Sequence, residues 1–284
     1  MNHAPQQRRE AKHEVRQRQL PRLFAVTLAG LLLMRPFTAK TSGTSPREEL
    51  QAARMMETAL FARKAGAEEW KKLERAYAEL VAKYPADAAV RNAQGEFLWT
   101  IGEQSRAMES WHVAEKIEPG NAVVLDHLGG GYLAKGNAVK AATHFRRAAK
   151  RAPANAAYHF SYANVAFIFR HQLLDADHAD ADSLVRDALA HFAEAARLQP
   201  LDADYARAYA ETFYSVPDPD WRAALRAWQH FHEISPRKDF ALLNLARVHM
   251  KLGNKPAARE ALASIQSPEF NRLKTRLQER IATE

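Results

Sequence analysis

A dense group of histidine and aspartate residues lies in the segment HQLLDADHADAD, residues 171–182. His171, Asp175, His178 and Asp182 are spaced i, i+4, i+7 and i+11, so one continuous helix would place all four on the same face. Imidazole and carboxylate groups are common metal ligands in proteins. A calcium loop would require a glycine at its sixth position, and this segment contains none. Whether the four side chains form a metal site depends on the elements that position them.

Other patterns that would indicate catalysis are missing from the sequence. The chain contains no cysteine, which excludes disulfides, thiolate nucleophiles and cysteine-ligated metals. It contains no GxSxG, HExxH, GxGxxG or phosphate-binding loop motif. The glycine run 129–131 lies inside a segment with helical periodicity, where close packing is the expected role. The sequence therefore predicts a protein that is not an enzyme and has no cofactor.

The positive charge of the chain is concentrated at its amino terminus. The 284 residues carry a net charge of +8, of which residues 1–46 carry +6 and the remaining 238 residues carry +2. A nucleic-acid-binding domain carries its basic excess on the folded part. Because the body of this chain is nearly neutral, we expect no nucleic-acid partner.

A short apolar run follows the basic residues of the amino terminus. LFAVTLAGLLLM, residues 23–34, contains 12 uncharged residues and is followed by a polar segment. This order is typical of an export signal, whereas a membrane-spanning helix needs about 20 residues. We therefore predict export to the periplasm or exterior, with "FTA" before Lys40 as the nearest cleavage site. The alternatives are an inner-membrane anchor formed by residues 23–34, a mitochondrial presequence, and a disordered basic tail on a cytoplasmic protein.

The rest of the chain contains a repeat that is punctuated by proline. Pro85, Pro119 and Pro153 are separated by 34 residues each, and Pro200 and Pro236 end similar segments. In the clearest unit, residues 122–155, two apolar stripes with helical spacing flank the helix-breaking segment KGN, residues 135–137. Small residues in each stripe would let the two helices approach closely. The unit resembles the tetratricopeptide repeat through Leu125, Leu128, Gly129, Tyr132, Ala141, Phe145, Ala148 and Pro153.

The resemblance implies how the whole body is organised. Residues 88–121 match the pattern partly, and residues 48–85, 156–201, 203–236 and 239–266 are degenerate repeats. Residues 267–282 read as a closing helix that covers the last repeat. We therefore divide the chain into an amino-terminal segment, 1–46, and a helical repeat domain, 47–284. The implied fold is an all-α, right-handed α-solenoid of antiparallel helix pairs with about 13 helices; the alternative is a closed helical bundle.

In this family the concave face, formed by the first helix of each pair, binds other proteins. The resemblance therefore implies a non-catalytic scaffold that binds peptide or helical segments, and we place it in cell-envelope assembly or secretion. Alternatives are a self-associating structural solenoid, which would be a homo-oligomer, and a protein that binds a small ligand. The family's carboxylate clamp is not expected, because its places hold Asn92, Glu96, His127, Ala157 and Ser161 without a lysine or arginine. The predicted groove residues are Asn92, Glu96, Trp99, Asp126, Leu133, Phe160, Asn164, Phe167, Arg207, Glu211, Tyr214 and Arg247.

The repeat pattern also places the segment 171–182. The unit that begins at Ala156 should end near residue 187, but its proline is Pro200, so 13 residues have been inserted. The segment then lies in an enlarged turn between the two helices of one repeat, with Asp180 or Asp182 as the cap of the second helix. His171 and Asp175 would at most prolong the first helix. Because the second helix must turn back before Asp182, we predict no metal site here.

Overall fold

A computed structural model describes the backbone of residues 45–177 and 180–283, and the side chains of residues 45–174 and 180–283. Within these ranges the chain forms fourteen α-helices, two short 3-10 turns (Phe213–Ser215 and Pro268–Phe270) and no β-strand, which confirms the all-α solenoid. The predicted export segment lies outside the described residues. The helices are α1 Pro46–Ala62, α2 Ala67–Lys83, α3 Ala88–Thr100, α4 Gln104–Ile117, α5 Ala122–Ala134, α6 Ala138–Arg151, α7 Ala156–Ile168, α8 Arg170–Asp177, α9 Ala181–Leu198, α10 Ala203–Thr212, α11 Trp221–Ile234, α12 Lys238–Lys251, α13 Lys255–Ala263 and α14 Asn271–Thr283.

Most of these helices begin at an aspartate or asparagine whose side chain accepts the first free backbone N–H groups. Asn121 Oδ1, for example, accepts from the N–H groups of Val123 at 3.1 Å and Val124 at 3.3 Å. Such a cap stabilises a helix by about 1 kcal/mol. Eight helices share this device, through Asp87, Asn121, Asn137, Asn155, Asp180, Asp202, Asp220 and Asn254.

The two helices of a repeat pack closely because small residues face large ones. A Cβ atom added to Gly129 of α5 would lie 2.6 Å from the ring of Phe145 on α6, and one added to Gly95 of α3 would lie 2.4 Å from Trp111 on α4. Both distances are too short for a carbon atom, so glycine is required at both places. The prediction that small residues allow this approach is confirmed. The pairs α1–α2, α3–α4, α5–α6, α7–α9, α10–α11 and α12–α13 follow one another along the solenoid.

The inserted segment of the fourth repeat differs from the predicted enlarged turn. Residues Arg170–Asp177 form a separate short helix, α8, which packs against α6, α7 and α9. Leu173 is buried and joins the core cluster that contains Phe145 and Phe192. The insertion is therefore anchored to the repeats by an apolar contact. Asp180 then caps α9, since its Oδ1 accepts from the N–H of Ser183 at 2.6 Å.

The solenoid is closed at its carboxyl end by α14. Ile281 of this helix is buried together with Leu243 and Leu262 of the last pair. None of the helices in the described ranges is both long and apolar enough to span a bilayer.

Candidate functional site

The predicted groove residues lie on the first helices of successive pairs, α3, α5, α7, α10 and α12, with Tyr214 in the 3-10 turn that follows α10. Contacts link several neighbouring repeats: Asn92 with His127 of α5, Phe160 with Tyr205 of α10, and Tyr214 with Arg247 of α12. We call the predicted groove residues together the first-helix face. Some of its side chains already form hydrogen bonds or ion pairs within the protein, whereas others do not. This difference indicates which segments of the face can contact a ligand.

At the amino-terminal end of the face, the polar groups are occupied by one another. Asn92 donates from Nδ2 to Glu96 Oε1 at 2.7 Å, and His127 Nδ1 lies 2.8 Å from Asn92 Oδ1. Arg54 of α1 donates to Glu96 Oε2 at 2.9 Å. The ring of His127 stacks on Trp111 at 5.1 Å, and burial lowers the pKa of His127 and keeps it neutral near pH 7. This network fixes α1, α3 and α5 relative to one another.

Asp126 on α5 is a partly buried carboxylate with unused bonding capacity. Its Oδ1 is inaccessible to solvent, and no donor among the described residues lies within hydrogen-bond distance of it. Burial raises the pKa of Asp126 to about 7. On the neighbouring first helix, α7, the pKa of Tyr158 is raised by burial and by the charge of Asp126. Asp126 is thus poorly stabilised as an anion, which is uncommon for a carboxylate without a functional or structural role.

Three aromatic side chains of the face, Trp99 of α3 and Phe160 and Phe167 of α7, are partly exposed. Leu133 of α5 and Asn164 of α7 are half-buried. Each of the three packs against a ring of another helix and leaves part of its own surface accessible, as a groove for a mixed apolar and polar ligand requires; the partner rings of Trp111 and Phe192 are buried. The ring pairs are Trp99 with Trp111 at 5.4 Å, Phe160 with Tyr205 at 4.5 Å, and Phe167 with Phe192 at 6.4 Å.

The carboxyl-terminal end of the face contains two arginines in different states. Arg207 is neutralised, because it donates to Glu211 at 3.2 Å and lies 3.6 Å from Asp204. Arg247 is exposed, and its guanidinium carbon lies 4.5 Å from the centre of the Tyr214 ring. Burial raises the pKa of Tyr214 to about 12, so its hydroxyl stays protonated.

Two residues at this end were not predicted from the sequence. Trp221 begins α11, and its ring lies 5.8 Å from that of Tyr214. Lys251 Nζ lies 5.6 Å from the centre of the Trp221 ring. The i, i+4 spacing of Arg247 and Lys251 on one helix was the available indication of a cationic pair.

The histidine and aspartate residues of the segment 171–182 do not share one helix. His171 lies in α8, which ends at Asp177, whereas Asp182 lies in the first turn of α9. His178 and the side chain of Asp175 lie outside the described residues. In the ranges that the structure describes, no group of three or more histidine, aspartate or glutamate side chains is arranged to hold a metal ion.

Comparison with known proteins places the fold. No family model and no curated protein sequence matches the chain. Among solved structures, the protein is similar to YrrB, described as a TPR protein with an unusual peptide-binding site. The match has a TM-score of 0.57 at 16% identity and covers 72% of this chain and 97% of YrrB. The chain has the tetratricopeptide-repeat fold.

Two further tetratricopeptide-repeat structures resemble the chain over a longer stretch. PilF of Pseudomonas aeruginosa matches with a TM-score of 0.54 at 16% identity, over 84% of this chain and 99% of PilF. PilW, described as a type IV pilus biogenesis factor, matches with a TM-score of 0.50 at 14% identity, over 83% of this chain and 98% of PilW. At these identities the similarity concerns the fold alone.

Proposed function

We propose that this tetratricopeptide-repeat protein is a non-catalytic scaffold that binds peptide or helical segments along the first-helix face. The carrying observation is the set of partly exposed polar and aromatic side chains that successive first helices, α3, α5, α7, α10 and α12, present. A protein interface of this kind combines aromatic anchors with polar groups that fix register. YrrB, which shares the fold, is described as having a peptide-binding site, and this description supports the proposal.

The contacts within the face indicate where along it a ligand would bind. Asn92, Glu96 and His127 already satisfy one another, so a ligand gains few hydrogen bonds at the amino-terminal end. Asn164 and the partly exposed Phe160 and Phe167 offer apolar surface beside a polar group. We therefore place the main ligand contacts on α5, α7, α10 and α12.

Selection from a random peptide display library against the full-length chain tests this function. We expect recovered peptides to lose affinity for the double variant Asn164→Ala/Arg207→Ala, because both side chains lie on the first-helix face. The control is Arg197→Ala on α9, whose exposed guanidinium pairs, among the residues that the structure describes, with the neighbouring Glu194. Peptides that bind the double variant as well as the wild type would contradict the proposal, as would the recovery of none.

We further propose that the protein acts at the cell envelope. The basic segment 1–22 and the apolar run 23–34 support export or tethering. PilW, with the same fold, is described as a pilus biogenesis factor. Cell fractionation with amino-terminal sequencing of the mature chain tests this proposal. An intact Met1 on a chain found in soluble cytosol would refute it.

Self-association is the second candidate function, and one observation favours it. Met55 and Met56 on α1 are 59% and 41% exposed, at the end of the described solenoid. Exposed apolar side chains of this kind occur at protein interfaces. Sedimentation analysis of the full-length chain and of Met55→Lys distinguishes the candidates. A dimer that dissociates in the variant and retains no peptide would favour self-association.

A further inference from the structure

Two exposed cations lie one helical turn apart at the carboxyl-terminal end of the first-helix face. Arg247 and Lys251 are both on α12, and each lies over an aromatic ring, Tyr214 at 4.5 Å and Trp221 at 5.6 Å. No carboxylate of the described residues lies within 4.0 Å of either cation. Like charges at i, i+4 repel each other, so the arrangement is unfavourable until an anion neutralises it.

The arginine of this pair is held in one orientation. Its NH1 group donates to Asn244 Oδ1 at 3.2 Å, while its face rests on the Tyr214 ring. Asn244 is 3% exposed, and its own amide donates to the carbonyl of Phe240 at 2.9 Å. The Tyr214 hydroxyl donates to the Asn244 carbonyl at 3.3 Å. A guanidinium fixed in this way loses little conformational entropy when it binds a carboxylate.

Two acidic residues close to the site in sequence have partners of their own. Glu211, the acid nearest to Tyr214 along the chain, accepts from Arg207. Asp220 immediately precedes Trp221 and accepts from the backbone N–H groups of Arg222 and Ala223 at the start of α11. Neither of these two acids forms an ion pair with Arg247 or Lys251.

We propose that Arg247 and Lys251 bind neighbouring carboxylates of an acidic peptide segment. The inference rests on the proposed peptide-binding function and names the class of its partner. Residues at i, i+4 have Cβ atoms about 5–6 Å apart, a separation that neighbouring acidic side chains of a peptide can match. Guanidinium–carboxylate contacts are charge-assisted and bidentate, whereas the lysine contributes a compact point charge.

Fluorescence anisotropy with the full-length chain tests the site directly. The probe is a labelled peptide of alternating serine and glutamate, and its matched control replaces each glutamate by glutamine. We expect the glutamate peptide alone to bind, with an affinity that falls as salt is added. Arg247→Gln should weaken binding at least about tenfold, because a charge-assisted hydrogen bond is lost. Arg276→Gln, the same change at an exposed position of α14, should leave the affinity within about twofold.

Three results would overturn the inference. The first is equal binding of the glutamate and glutamine peptides. The second is an equal loss of affinity in Arg247→Gln and Arg276→Gln. The third is complete displacement of the glutamate peptide by inorganic phosphate at a phosphate concentration equal to the peptide concentration that half-saturates the site. Glutamine peptides that bind and are lost in Asn164→Ala/Arg207→Ala would leave the peptide-binding function standing while this inference fails. If binding of the glutamate peptide depends on Arg247 but no peptide depends on Asn164 and Arg207, the inference stands and peptide binding along the wider first-helix face is refuted.

Discussion

Replacing Asp126 by asparagine should stabilise the protein, and the gain should depend on pH. The carboxyl is partly buried, its Oδ1 has no donor among the described residues, and burial raises its pKa from 3.8 to about 7. One pKa unit corresponds to about 1.4 kcal/mol, so ionisation of Asp126 in the folded state lowers the free energy of unfolding by about 4 kcal/mol. An asparagine side chain at this position would retain the shape of the neutral acid without this loss.

The sign of the pH dependence follows from proton binding. The folded protein holds the Asp126 proton more tightly than the unfolded chain does, so protonation stabilises the fold. The contribution is fully present below the ordinary pKa of 3.8 and is lost as pH rises to about 7. Asp126→Asn should therefore exceed the wild type by about 4 kcal/mol near pH 8 and by about 2 kcal/mol near pH 5.

Urea unfolding, followed by both circular dichroism and tryptophan fluorescence, measures this difference. Coincident transitions are required, because repeat arrays do not always unfold in two states. The control is Asp182→Asn, an exposed carboxylate in the first turn of α9, which should change stability by only a few tenths of a kcal/mol. A stability gain independent of pH, or a variant less stable than the wild type near pH 8, would refute the reasoning.

Three further predictions concern the packing and the helix ends. Gly129→Ala should lower stability by about 1–3 kcal/mol because its Cβ meets the Phe145 ring, whereas the Cβ of Gly130→Ala meets open space and should raise stability by about 0.5–1 kcal/mol. Thermal unfolding compares the two variants, and equal effects would contradict the packing argument. Asp180→Ala should cost about 1 kcal/mol by removing the cap of α9, measured by urea unfolding, and no loss would show that the cap is not used. Burial lowers the pKa of His191, so its contribution to stability is present above pH 6.5 and is lost as pH falls below it. His191→Gln should therefore flatten the decline in melting temperature between about pH 7 and pH 5, and an unchanged slope would contradict this assignment.

The repeat spacing made the fold predictable, because each unit repeats the same packing problem. Gly129 and Phe145 meet as the repeat pattern implies. The preceding unit holds Gln94 where the clearest unit, 34 residues later, holds Leu128. It tolerates this polar side chain because Gln94 accepts a hydrogen bond from Ser110 at 3.0 Å. The inserted helix α8 was not predicted, since its eight residues are too short and too polar for a clear helical period.

The candidate site was predictable only in part, because position within a repeat does not determine a residue's partners. The sequence placed Asn92 on the first-helix face, but not its hydrogen bond to His127, which depends on the spacing between α3 and α5. It could not show that Asp126 lacks a donor, because that depends on α7. Trp221 was missed because it belongs to a second helix and reaches the face only through the 3-10 turn that precedes α11.

Amide hydrogen exchange of the full-length chain, with and without a selected peptide, tests the central claim most directly. Binding along the first-helix face should slow exchange in α5, α7, α10 and α12, where we place the main contacts, and leave the second helices α4, α6, α9 and α11 close to their unbound rates. Protection that falls mainly on the second helices, or a bound peptide that protects no helix, would contradict the account.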